Sequence, residues 1–406
     1  MKGGVRIVMV GPFGLRPKGT MSVRALPLAR ALADRGHQVT LLLPPWSYPQ
    51  DSGRRWQEEG VTVENVPLPP LPSFWPLTLT GRLVRRVLAL RPQVVHCFKP
   101  KAYAGLVHYL LWWRRRLPPG RGGPSPRLVV DTDDWEGPGG WNEVVDPSTG
   151  RPTYSWPQRR LFAWQERWGL THADRITVAS RDLETLVWSL GVPPERVVYL
   201  PNGVGVPPPS DLRPRRRQEG PPTLLLYTRF FEFDPARPLR VLQRVREAVP
   251  QARLLVVGKG LFGEEQTLLR LAQEMGLTQA VHYAGWVEPQ ALGGPFAEAD
   301  LALYPFDDTL INRTKCAVKL LDLMAWGLPV VADAVGENAQ MIVHGESGWL
   351  VPPGDVEAMA TAVIHLLRQA PLRRRLGEGA RRRVMARYTW EHLVAYAEEA
   401  YGFTRR

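Results

Sequence analysis

Short apolar runs alternate with stretches of helical periodicity along most of the 406-residue chain. The first run, Val5-Arg6-Ile7-Val8-Met9-Val10, predicts a buried parallel strand and passes into a Gly/Pro loop. Thr20 to Arg35 then sets Val23, Leu26, Leu28, Ala29 and Leu32 at helical spacing and stops before Gly36, and Gln38 to Leu43 predicts the second strand. The alternation returns at Val94-Val95-His96-Cys97, Leu128-Val129-Val130-Asp131, Ile176-Thr177-Val178-Ala179 and Val197-Val198-Tyr199-Leu200. Strands interleaved with amphipathic helices predict a parallel sheet covered on both faces, because each crossover lays a helix against the sheet.

From Gly205 to Pro222 the pattern breaks. Pro207-Pro208-Pro209, Arg213-Pro214-Arg215-Arg216-Arg217 and Pro221-Pro222 have the composition of a linker. Alternation restarts at Thr223 to Tyr227, Leu254 to Val257, Val281 to Tyr283, Leu301 to Tyr304 and Pro329 to Ala332, and Asp355 to Phe403 reads as helical. The expected class is α/β, with two doubly wound Rossmann-like domains facing across a cleft. Their expected bounds are 1–204 and 223–387, joined by a linker at 205–222. A closing helix over 388–406 is expected to pack back toward the first domain.

Composition narrows the class. With 44% hydrophobic and 22% charged residues the chain is globular rather than disordered. Cys97 and Cys316 are its two cysteines, which excludes a disulfide framework and a four-cysteine zinc site. No run of about 18 apolar residues occurs, and the sequence passes from Met1 straight into a strand, so neither a spanning helix nor a secretory signal is expected and the expected location is cytoplasmic. A net charge of +13 calls for an anionic partner. Only 7 of the 52 cationic residues are lysines, and Lys18, Lys99, Lys101, Lys259, Lys315 and Lys319 all sit in or just after loops that follow strands. Ligands of open parallel sheets bind there, and a compact ammonium suits phosphate.

Candidate chemistry follows from those loops. A helix is expected from Lys315 to Trp326, with Lys315, Lys319 and Asp322 at i, i+4 and i+7 on one face. That face is either a solvated ion-paired surface or a cationic grip for a diphosphate beside a carboxylate for ribose hydroxyls; spacing alone does not choose. The loop Gly11 to Thr20, with Gly14 and Gly19, offers backbone amides at a helix start. It lacks G-x-G-x-x-G, and no G-x-x-x-x-G-K-[ST] occurs, which argues against a nicotinamide fold and a P-loop NTPase. Asp131-Thr132-Asp133-Asp134 reads as a metal-binding D-x-D or, preferably, as acceptor binding or loop capping by Asp133 and Asp134. His96 is either a hydrogen-bonded core residue or a site residue, and the histidines form no ligand cluster, so no metal and no cofactor are expected. Tyr109 to Leu117 ends in Trp112-Trp113-Arg114-Arg115-Arg116, a composition that suits an anionic membrane surface as well as sheet packing with a cationic helix end.

The block Lys315-Cys316-Ala317-Val318-Lys319-Leu320-Leu321-Asp322-Leu323-Met324-Ala325-Trp326-Gly327-Leu328-Pro329-Val330-Val331-Ala332 resembles the K-L-x-E-x-M-A-x-G-x-P-V-V-A signature of the retaining, nucleotide-sugar-dependent glycosyltransferases of family 4. Gly336-Glu337, His344 to Val351, Pro353-Gly354-Asp355, Pro201-Asn202-Gly203-Val204, Val257-Gly258-Lys259-Gly260 and Tyr388-Thr389-Trp390 extend the likeness over nearly the whole chain. The resemblance implies the GT-B fold, with the acceptor on the N-terminal domain and the donor on the C-terminal one. It implies that Asp322 holds the donor ribose, where Glu is usual, and that Arg229 contacts the diphosphate. Asp234 stands where the family has a lysine, so Lys319 is the candidate second cation. The first glutamate of the family's E-x7-E pair falls at Thr314.

The expected catalytic group set is thus Asp133, Asp134, Arg229 and Lys319. Donor binding is expected from Gly14, Gly19, Arg229, Gly258, Lys259, Thr314, Lys315, Lys319 and Asp322, with His96, Lys99 and Lys101 on the acceptor side. The implied partners are a nucleotide-sugar donor, a glycan or lipid-linked acceptor and an anionic membrane surface reached from the cytoplasmic side, but no nucleic acid. Two other readings stand beside a hexosyltransferase: a non-catalytic nucleotide-sugar-binding scaffold, and a sugar-nucleotide epimerase on the same fold.

Overall fold

Two sheets organise the chain, one in each of two units. A computed structural model describes all residues except 1–3, 17–18, 71–74, 117–124, 206–219 and 404–406. Lys18, Leu117 and most of the expected linker therefore lie outside the described residues. One unit comprises Met1–Val145, Pro152–Gly203 and Trp390–Arg406, the other Asp146–Arg151 and Val204–Thr389.

The strands that precede Gly203 are β1 (Arg6–Val10), β2 (Gln38–Leu43), β3 (Arg55–Glu58), β4 (Val61–Asn65), β5 (Val94–Phe98), β6 (Arg127–Thr132), a separate two-stranded hairpin of β7 (Val145–Asp146) and β8 (Arg151–Pro152), β9 (Arg175–Val178) and β10 (Val197–Tyr199). The main sheet of the first unit runs β10-β9-β6-β5-β1-β2-β4-β3, parallel throughout except for the antiparallel edge pair β3–β4. The second unit contains β11 (Thr223–Thr228), β12 (Arg253–Gly258), β13 (Val281–Gly285), β14 (Leu301–Tyr304), β15 (Val330–Asp333) and β16 (Trp349–Val351), all parallel in the order β13-β12-β11-β14-β15-β16. Central strands are apolar on both faces, as two helical layers demand, and β11 is buried at every residue. β3 escaped the sequence pattern because its Arg55, Gln57 and Glu58 are the polar residues that keep an edge strand from pairing further.

Two expected helices are differently divided. The helix expected from Lys315 to Trp326 is instead a short helix, Leu310–Thr314, three extended residues, and a helix Val318–Ala325. Lys315 stands in the break, so it does not share a helical face with Lys319 and Asp322. The C-terminal region is three helices, Val356–Arg368, Ala370–Arg387 and Trp390–Tyr401. The last belongs to the first unit, where Trp390, Leu393, Val394, Ala397, Ala400 and Tyr401 join the core around Ile7, Met9 and Leu41.

In the first unit the helix after β1 opens with a π-helical turn, Met21–Ala25, before Leu26–Asp34 turns α-helical. That turn delivers Arg24 to the interior. Its guanidinium is fully buried and donates to Asp131 Oδ1 and Oδ2 at 2.8 and 2.7 Å, to Asn202 Oδ1 at 3.0 Å and to the Leu200 carbonyl at 2.8 Å. Asp131 also accepts from Thr177 Oγ1 at 2.6 Å, so one arginine ties together the first helix, β6, β9 and the segment after β10. A buried carboxylate left without its cation is expensive. Arg24→Met is therefore expected to cost about 3–5 kcal/mol, read as a lower urea midpoint, whereas Arg24→Met combined with Asp131→Asn recovers part of that loss.

Candidate functional site

At the carboxyl ends of β11 and β14 the chain turns sharply to gather charge. After Thr228 come exposed Arg229 and then Phe230, which is held at φ +71°. A bulky residue in that region stores about 1–3 kcal/mol of strain, offset here by neighbouring bonds. The Phe230 amide donates to Thr228 Oγ1 at 2.8 Å, and that hydroxyl donates to Glu232 Oε2 at 3.1 Å. Glu232 is buried, and its Oε1 lies 2.6 Å from Lys315 Nζ. Asn312 Nδ2 ties the two loops by donating to the Glu232 and Asp307 carbonyls at 2.7 and 2.9 Å. The break before Val318–Ala325 is what allows Lys315 to reach Glu232.

Aromatic rings receive the cations. Lys315 Nζ stands 4.1 Å from the ring centre of Phe231, and Lys319 Nζ stands 3.4 Å from that of Tyr227, the penultimate residue of β11. Lys319 is the most perturbed cation of the group. Burial pushes its pKa down to about 7, against the pull of Glu232 and Asp322, and Lys315 and Arg229 repel the proton further. Burial also raises the Tyr227 and Tyr304 hydroxyls, and the Asp322 carboxylate adds to both. Glu232 is shifted oppositely: burial favours its neutral form, but the charge and hydrogen bond of Lys315 hold it below the usual carboxylate range. Arg229, Lys315, Lys319 and Asp322 thus form one electrostatic group at the strand ends.

Other expected donor residues have local explanations. Gly258 sits at φ +137°, where a Cβ would fall 1.9 Å from the Thr228 carbonyl oxygen, so only glycine permits the β11–β12 approach. Lys259 is exposed just beyond β12, and the amides that follow it at Gly260 and Phe262 are taken by Glu265 and Glu264 at 2.9 and 2.8 Å. Thr314 departs from expectation. It is buried, and its hydroxyl donates to the Leu310 and Ile311 carbonyls of its own helix at 2.9 and 3.2 Å, as a β-hydroxyl in a helix readily does.

The strand ends of the first unit form a knot of paired charges with one carboxylate in excess. Buried Lys99 Nζ lies 3.1, 2.9 and 3.1 Å from Asp133, Asp134 and Glu136, and Lys101 Nζ lies 2.8 Å from Glu136 and from Asn142 Oδ1. Thr20 Oγ1 donates to Asp133 Oδ2 at 2.6 Å. Asp133 and Asp134, expected as catalytic groups, and Lys99 and Lys101, expected on the acceptor side, are therefore engaged with one another. Behind them, burial and the nearby Glu136 push Glu166 up to about 8. His96 is a correction: it is fully buried, bonded to Tyr401 Oη at 2.8 Å and Thr177 Oγ1 at 3.2 Å, and burial lowers its pKa to about 3, so it serves the core. Gly14 packs against Pro45, while the Gly19 amide is already taken by Ser22 Oγ at 3.0 Å. An open concavity of about 470 Å³, lined by Arg115, Arg127, Asp174 and Arg175, lies at the amino ends of β6 and β9, the end opposite these loops.

Glu232, Glu136, Glu166 and Arg24 were not singled out from sequence. The available signal for Glu232 was one acid inside Phe230-Phe231-Glu232-Phe233, since a carboxylate among aromatics must find a cation.

Comparison with known proteins sets these features in context. Residues 19–203 match the family described as Glycosyl transferase 4-like domain, and residues 236–369 match Glycosyl transferases group 1. The chain is 29% identical to the D-inositol 3-phosphate glycosyltransferase of Stackebrandtia nassauensis, over 96% of this chain and 88% of the relative. It is 28% identical to the phosphatidyl-myo-inositol mannosyltransferase of Mycobacterium leprae, over 98% and 96%. The fold is similar to that of Anabaena HepE, solved in complex with UDP and glucose, with a TM-score of 0.69 at 16% identity, covering 98% of this chain and 100% of the other.

Glu232→Gln removes the counter-charge of a half-buried lysine. It is expected to cost about 2–3 kcal/mol by urea unfolding at pH 7. The double variant with Lys315→Met is expected to show a coupling energy above about 1 kcal/mol in the corresponding cycle.

Proposed function

The chain belongs to family 4 of the glycosyltransferases, with the GT-B fold and a nucleotide-sugar donor, and on that footing we propose that it moves a hexosyl group from a nucleoside-diphosphate sugar to a hydroxyl acceptor with retention of configuration. The observation that carries the reading is the group at the ends of β11 and β14. Three cationic side chains, one of them a lysine whose pKa burial lowers to about 7, stand beside a single helical carboxylate. A departing nucleoside diphosphate gathers negative charge as its bond to the sugar breaks, and preorganised cations in a desolvated setting favour that change over the ground state.

In this reading Arg229 and Lys319 hold the diphosphate, Lys315 lends charge at the rim, and Asp322 accepts hydrogen bonds from the ribose hydroxyls. The bond from the anomeric carbon to the leaving oxygen breaks, the acceptor oxygen bonds the same face, and the acceptor's proton passes to the departing phosphate. The side-chain cations bear the charge without a divalent ion, so excess chelator leaves turnover unchanged. Asp133 and Asp134 act from the acceptor side by keeping their loop in place. The named relatives act on an inositol phosphate and on phosphatidyl-myo-inositol. Their polyhydroxylated acceptors support a glycan, a lipid-linked sugar or a small polyol here.

Thermal-shift screening against a panel of nucleotide sugars is expected to find one that raises the unfolding temperature, since a ligand of the native state stabilises by mass action. Asp322→Ala is expected to abolish the shift, and an undiminished shift removes Asp322 from the site. Proton NMR of the product is expected to show the donor's anomeric configuration; an inverted product refutes retention.

The pH dependence has a definite sign. A bound diphosphate favours the Lys319 ammonium, whose pKa in the free chain is about 7. Above that pH binding takes up a proton, so donor affinity falls as pH rises, approaching about tenfold per unit, and is flat below it. Lys319→Met is expected to bind weakly and to lose that slope in isothermal titration.

A further inference from the structure

Two helices of the first unit carry an unusual surface. Ala102–Arg114 and Trp156–His172 pack side by side through aromatic rings: Tyr109 lies 5.6 Å from Trp164 and 4.8 Å from Trp168, and Trp112 lies 5.2 Å from Trp168. Outward from that seam the same helices expose more. Trp156 is 63% exposed, Trp113 49%, Trp164 and Leu161 44%, and Leu110 42%. These are five of the twelve exposed large hydrophobic residues among those described, gathered on one helix pair. On the second helix Trp156, Arg160, Trp164 and Arg167 recur at spacings of four, four and three, which places them on one face.

Charge on this surface has one sign. Arg114, Arg116, Arg160 and Arg167 are exposed on it; the Arg116 guanidinium lies 3.2 Å from the ring centre of Trp112 and that of Arg160 lies 5.0 Å from Trp156. From Lys101 to Arg116 the sequence has no acid, and from Trp156 to His172 its single acid, Glu166, is buried. Exposed indoles among arginines match the headgroup region of a bilayer, where the ring sits at the apolar boundary and the guanidinium meets lipid phosphate. A second copy of the chain fits poorly, since a two-fold contact would set these arginines against themselves. No helix among the described residues is long and apolar enough to cross a membrane, so contact would be in the plane of the surface.

We propose that the paired faces of Ala102–Arg114 and Trp156–His172 form a docking surface for an anionic lipid bilayer. The proposal is independent of the donor site and stands whether or not the catalytic reading does. It is tested by flotation of the full chain with extruded vesicles of phosphatidylcholine alone or mixed equally with phosphatidylglycerol. Binding is expected to the mixed vesicles, to weaken with added salt, and to be at least tenfold poorer on the neutral ones. The triple variant Trp113→Ser, Trp156→Ser, Trp164→Ser keeps every charge. It is expected to lose at least tenfold in partitioning while still unfolding well above the assay temperature, because these side chains sit half-exposed at the outer edge of the seam. Arg114→Glu, Arg160→Glu, Arg167→Glu is expected to do the same, while Arg244→Glu, Arg270→Glu, Arg382→Glu, an equal charge change in the second unit, leaves binding intact. Equal binding by the tryptophan variant reduces the effect to overall charge and overturns the proposal. Failure of the unmodified chain to float with anionic vesicles overturns it as well. A concentration-dependent dimer in sedimentation velocity that the tryptophan variant abolishes, without vesicle binding, assigns the surface to a second copy instead.

Discussion

Placing an ammonium group out of water without fully pairing it is the constraint on which the second unit's chemistry depends. Lys319 is held against the face of Tyr227, with Asp322 near enough to attract it but no acid bridged to it among the described ion pairs. Lys315, four residues earlier, is fully bridged, to Glu232. The difference arises from backbone geometry. Three extended residues carry Lys315 across to the β11 loop, while Lys319 stays on the helix and is left partly uncompensated. A cation in that state gains from any anion that enters, and the gain is largest for a group whose charge grows during reaction.

The first unit solves the opposite problem. Lys99 and Lys101 are packed among Asp133, Asp134 and Glu136, so that both ammonium groups are fully bridged and the carboxylates outnumber them by one. Beneath them Arg24 and Asp131 form a second buried pair. Such arrangements contribute little net stability against an apolar alternative, but they fix loop positions firmly, because moving one member strands the others. The loop at Asp133 and Asp134 is thereby given a defined shape, whereas the loop at Arg229 is given a reactive field.

Much of this was legible in the sequence because parallel strands covered on both faces announce themselves as apolar runs, and the central strands of both sheets do so. The edge strand β3 did not, since its polarity is what keeps it an edge. Lys315, Lys319 and Asp322 could be nominated from spacing, yet the break at Lys315 could not: the segment is a good helix by pattern, and it is a tertiary ion pair to a residue more than eighty positions earlier that accompanies its opening. His96 shows the converse. Its expected place at a strand end suggested chemistry, but β5 runs on to Phe98 and a hydroxyl from Tyr401, near the far end of the chain, makes His96 part of the interior. Long-range pairing of single polar residues is the information a one-dimensional pattern lacks.

That same Tyr401 has a temporal consequence. The helix Trp390–Tyr401 packs on β9 and β10 and on the helix Leu26–Asp34, supplying six side chains to a core otherwise built from residues before Gly203. During synthesis the first two hundred residues leave the ribosome with one flank of their sheet uncovered. They must wait while the entire intervening unit is translated. The first unit is thus completed only after the second has been made, and its nascent form exposes an apolar strip that invites chaperone binding.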